Sequence, residues 1–133
     1  MGDGDDAIDP AHWLRRLSTA DWLAAAETEL EHCRDALTRR SVRPGVAHAR
    51  RAAGMALNAL LRRHEDPAYG RSYMEHVAAL AADAGAPTEA RAAAEALRMM
   101  APAPLQLITI GKPDLAALEA ARAIVAYARA ALA

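Results

Sequence analysis

Residues 46–61 read VAHARRAAGMALNALL. Val46, Ala49, Ala53, Ala56, Leu57 and Leu60 recur at spacings of three and four, so a helix carries them in one stripe along one edge. Pro44 suits a first helical turn, where its missing N–H costs nothing, and Ser41 is a candidate cap. Continued to about Arg63, the helix is ~30 Å long at the usual rise per residue. Ala49, Ala52, Ala53, Ala56 and Ala59 cover more than one stripe. Such a helix is either central in a bundle or also faces a second copy of the chain.

The same period appears on both sides. Upstream, Leu23, Ala26, Leu30, Cys33 and Leu37 form a stripe flanked by Trp22. Ser18 followed by Asp21 is a variant of the capping box at its start. The segment SVRPG, residues 41–45, breaks the pattern. Downstream, EDPAYG at 65–70 is a second break, followed by Tyr73, Val77, Leu80 and Ala84 facing inward. AGAP at 84–87 is a third, with Pro87 suited to the next first turn and Ala90, Ala93 and Leu97 on the inner side. Residues 101–111, APAPLQLITIG, are the least helical; their four large apolar residues predict a packed, extended connection. Pro113 and Asp114 then open a last helix with Leu118, Ala121, Val125, Ala128 and Leu132 inside.

Residues 10–17 predict a short helix capped by Asp9, with Trp13, Leu14 and Leu17 inward. Residues 1–9 carry four Asp and little to bury, and predict a disordered acidic tail. The reading is therefore all-α: an antiparallel up-and-down bundle of four to five helices in one domain over residues 10–133. Composition agrees. Ala, Leu, Arg and Glu favour helix, and Phe is absent. Cys33 is the single cysteine, so no intramolecular disulfide forms. The start lacks a signal-peptide pattern and no apolar run spans a bilayer, which together predict a cytoplasmic protein with no membrane partner.

Chemistry is sparse. Net charge is −1, yet residues 39–63 hold seven arginines and no acid: Arg39, Arg40, Arg43, Arg50, Arg51, Arg62 and Arg63. Such a run can bind phosphates, or it can pair with acids such as Glu27, Glu31 and Asp35 and with the negative end of the preceding helix. Glu29-x-x-His32 matches half of a di-iron motif, but no second such pair exists, and the inner stripe passes through Leu30 and Cys33 instead. Zinc-type spacing, a nucleophile elbow and a Gly-rich phosphate loop are absent. No metal and no cofactor are expected.

ARRAAGMALNALL at 49–61, a short loop, and YMEHVAALAAD at 73–83 resemble the HEPN domains of prokaryotes. AAAEALRMM at 92–100 and AARAIVAYARAAL at 120–132 resemble that family's last helices, so the likeness covers about residues 20–130. It implies a small helical bundle that commonly forms a homodimer and serves nucleic-acid or nucleotide biology. Some such bundles pair with a nucleotidyltransferase subunit. Others are metal-independent ribonucleases with an Arg-x4–6-His motif across the dimer interface. Arg71-Ser-Tyr-Met-Glu-His76 has that form. It stands at the start of the third long segment, however, and five helical residues turn side chains ~140° apart. Convergence requires Arg71 in the first turn or the loop. The reading carried forward is a non-enzymatic HEPN-like binding or partner module. A ribonuclease using Arg71 and His76, and an unrelated adaptor bundle, are the alternatives.

Overall fold

The computed structural model describes residues 13–101 and 111–133. The described residues form a bundle of five helices: α1 Thr19–Thr38, α2 Val42–Arg63, α3 Tyr73–Ala82, α4 Thr88–Met99 and α5 Ala116–Leu132. No strand occurs among the described residues. The acidic tail at 1–9, the start of the expected 10–17 helix and nearly all of the 101–111 connection lie outside them. Trp13–Arg16 forms one 3₁₀ turn and Pro67–Tyr69 another.

The helix starts follow local chemistry. Ser18 Oγ accepts the Asp21 amide at 3.0 Å, satisfying one of the donors a helix start leaves open. Ser72 and Glu75 make a full capping box: Ser72 Oγ accepts from Glu75 N, and the Glu75 carboxylate accepts from Ser72 N. Asp114 Oδ1 takes the Ala116 amide at the start of α5. Ser41 does precede α2, but its side chain makes no capping bond. Pro87 sits one residue ahead of α4, in extended conformation, rather than inside its first turn.

α2 is the central helix. It packs against α1, α5, α3 and the 3₁₀ turn at Trp13–Arg16. Ala49, Ala52, Ala53, Ala56 and Ala59 are all buried within this one chain. The breadth of that alanine surface is thus accounted for by intrachain neighbours and supplies no argument for a second copy. Small side chains allow close approach, and Gly54 marks one of the tight points. A Cβ there would lie 2.3 Å from the Cβ of Tyr73.

One leucine from the stripe of each of four helices, Leu30, Leu57, Leu80 and Leu118, is buried. Each contributes about 1.5–3 kcal/mol by leaving water. Ala84 departs from expectation, since α3 ends at Ala82 and Ala84 is exposed in the turn. On α4, Ala94 is fully buried while Ala93 is only half-buried. None of the described helices is long and apolar enough to cross a membrane.

Candidate functional site

The Arg71–His76 pair separates into a surface residue and a core residue. His76 is fully buried. Its Nδ1 lies 2.7 Å from the Tyr69 carbonyl oxygen and its Nε2 lies 2.8 Å from the Asn58 side-chain amide. Trp13 stacks on the ring at a centroid distance of 5.2 Å. Burial holds the imidazole below its ordinary value of 6.5, against the Tyr69 carbonyl and Glu75, which favour the charged form. A neutral ring has one N–H, which the Tyr69 carbonyl can only accept. Nε2 is then an acceptor, and the Asn58 amide turned end for end donates its NH₂ to it. Both nitrogens are therefore engaged in the core.

Arg71 is exposed, and its backbone amide donates to Glu75 Oε1 at 2.8 Å. Its side chain borders a cleft of about 320 Å³ with Trp13, Leu61, Asp66 and Pro67. His76 does not line that cleft, and Trp13, which does, stacks on it. The motif's spacing is met in sequence, but its histidine is turned into the protein.

The arginine run is distributed among structural tasks. Arg50 donates from Nε and Nη2 to the Leu97 carbonyl at 3.3 and 3.1 Å, and from Nη2 to the Met100 carbonyl at 2.7 Å. It closes the C-terminus of α4, where orphan carbonyls and the helix dipole both favour a cation. Arg62 donates to the Leu17 carbonyl at 2.9 Å and holds the chain entering α1. Arg40, at φ 62°, donates to the Gly111 carbonyl. Arg51 lies 3.5 Å from Glu29. Arg39, Arg43 and Arg63 are exposed. Arg129, outside the run, takes Glu27, one of the acids expected to pair with it.

Glu29 corrects the sequence reading most clearly. It belongs to the buried side of α1, only 8% exposed, because the α1–α2 seam is wider than the single stripe through Leu30 and Cys33. His48 Nδ1 lies 2.7 Å from Glu29 Oε1, and His32 Nδ1 lies 3.9 Å from Glu29 Oε2. The two imidazoles meet edge to face, centroids 5.2 Å apart. Glu29-x-x-His32 brings two of these groups to one turn of α1. His48, first turned toward them by α2, carried no sequence signal: it is nineteen residues from Glu29. One carboxylate oxygen and one nitrogen from each ring lie within 4.8 Å of one another.

Other reactive groups are quiet. Burial pushes the Cys33 thiol up to about 11, against the Arg122 cation, which lowers it, so it behaves as a small core residue rather than a nucleophile. Burial and a 2.7 Å hydrogen bond to Asp83 raise the Tyr69 phenol. Met99 is the one large apolar side chain that stands exposed among the described residues. No protein-family model, curated protein or solved structure matches this chain.

Proposed function

We propose that this chain is a non-enzymatic partner module, a helical bundle of HEPN-like type that acts by docking onto another macromolecule. The observation that carries the reading is the placement of His76. A general acid or base must reach the substrate's proton, and this imidazole is sealed under Trp13 with both nitrogens bonded inside the core.

The redistribution of the arginines favours a protein partner over a nucleic acid. Affinity for phosphate chains scales with the number of free cations that meet them, and four of the seven arginines in the run are bonded to carbonyls or sit beside Glu29. A nucleotidyltransferase subunit, or a second copy of the chain, is the partner class the sequence resemblance suggests.

The test incubates the purified chain with labelled single-stranded RNA and follows strand length, with His76→Gln alongside. Intact RNA with both proteins is expected. Wild-type cleavage that disappears in a folded His76→Gln variant overturns the reading. Gel filtration with light scattering, alone and with a nucleotidyltransferase subunit, then identifies the partner.

A further inference from the structure

The seam between α1 and α2 holds a constellation that the partner-module reading does not use. We propose that Glu29, His32 and His48 form a three-ligand site for a single zinc-type divalent cation, bridging α1 to α2 and leaving one coordination position to solvent or an incoming ligand.

The donor set fits that class of ion. Two imidazoles and one carboxylate suit borderline metals such as zinc, and three protein ligands with an open fourth position make a familiar coordination sphere. Zinc–nitrogen and zinc–oxygen bonds near 2.0–2.1 Å place tetrahedral ligand atoms about 3.3 Å apart. His48 Nδ1 lies 2.7 Å from Glu29 Oε1 and His32 Nδ1 lies 3.9 Å from Glu29 Oε2, either side of that value, and one carboxylate oxygen with one nitrogen of each ring falls within 4.8 Å. His48 must free its Nδ1, and a neutral imidazole does so by carrying its proton on Nε2 instead.

Burial is graded in the sense a metal site needs. The Glu29 side chain is 10% exposed and anchored in the seam, His48 is 28% exposed, and His32 is 52% exposed at the rim. An ion entering from solvent meets His32 first. At 3.9 Å, His32 is too far to hydrogen-bond Glu29. His48 and Arg51 satisfy the carboxylate, and His32, one turn along α1 and edge to face with His48, adds a second imidazole at the rim.

Arg51 is the competitor. Its guanidinium, half exposed and 3.5 Å from Glu29 Oε2, occupies the place of a counter-charge. A bound cation takes over that task, and the arginine is free to swing into solvent. Removing Arg51 therefore tightens metal binding, whereas removing a ligand weakens it.

The experiment uses the full chain without an affinity tag, stripped with a chelator. Zn²⁺ is titrated by calorimetry and Co²⁺ by the visible absorption of a tetrahedral complex, and circular dichroism checks each variant's fold. One ion per chain is expected. His32→Ala and His48→Ala each weaken binding by at least about tenfold, and Glu29→Gln does the same. Arg51→Gln tightens it by about two- to fivefold, the worth of an exposed ion pair. His64→Ala, at the far end of α2, leaves it unchanged. The proposal is overturned if the wild type binds no better than the His32→Ala/His48→Ala double variant. It is also overturned if His64→Ala weakens binding as much as His48→Ala, or if one ion requires two chains. None of these readouts depends on whether the chain binds a partner or leaves RNA intact.

Discussion

Replacing His76 by alanine tests whether this residue builds the fold. The ring bridges three elements: Tyr69 from the turn before α3, Asn58 on α2 and Trp13 in the first 3₁₀ turn. Alanine leaves the Asn58 amide buried without its partner, which costs about 1–3 kcal/mol. The lost stack on Trp13 removes about 0.5–1.5 kcal/mol, and the vacated volume costs more where neighbours cannot collapse into it. The expected destabilisation is about 3–5 kcal/mol. With an unfolding entropy of about 2.1 cal/mol/K per residue, 133 residues give a fall in Tm of roughly 10–18 °C. Differential scanning calorimetry measures it. His76→Gln keeps one of the two hydrogen bonds and falls between the variant and the wild type.

The same residue carries a pH dependence whose sign is determined. Burial holds the folded-state pKa below the ordinary 6.5, so between those values the unfolded chain binds a proton that the folded chain does not. The stabilisation from neutral His76 is complete above about pH 6.5 and declines as pH falls below it. The slope is at most about 1.4 kcal/mol per pH unit for one proton. His76→Gln lacks this component, so its stability declines less between pH 6.5 and 5 than that of the wild type. A His76→Ala variant that loses less than about 1 kcal/mol, as a surface histidine does, refutes the core assignment. So does a His76→Gln variant with an unaltered pH slope.

Two further substitutions probe the packing and the arginines. Gly54→Ala drives a methyl into Tyr73 at the α2–α3 contact and lowers stability by about 1–3 kcal/mol in chemical denaturation; a neutral or stabilising result means that the two helices are not so closely opposed. Arg50→Ala removes the cation that binds the Leu97 and Met100 carbonyls and costs about 1.5–3 kcal/mol, with faster amide exchange at the end of α4. Arg43→Ala, at an exposed position, changes stability by less than about 0.5 kcal/mol, and equal losses at the two sites contradict the division of labour among the arginines.

Helix positions were legible because they depend on near neighbours in the chain. A stripe such as Leu23, Ala26, Leu30, Cys33 and Leu37 reports its own period whatever it packs on, and caps such as Ser18 bond within three residues. Ser72-x-x-Glu75 has the capping-box form, a local signal that the sequence reading passed over and that the structure forms in full. Motif spacing carries no direction: Arg71 and His76 have the separation of the Arg-x4-His form, and His76 belongs to the inward side of α3 with Val77 and Leu80.

What lay beyond the sequence is which polar groups face one another across helices. Glu29 meets His48 over 19 residues, Asn58 meets His76 over 18, and Arg50 reaches Leu97 over 47. Such meetings depend on the register and depth at which two helices settle, and those follow from the summed shapes of many alanines, leucines and a glycine. Local periodicity says which edge of a helix turns inward. Only the packed bundle decides how wide that edge is, and so whether Glu29 stands in solvent or in the seam beside two imidazoles.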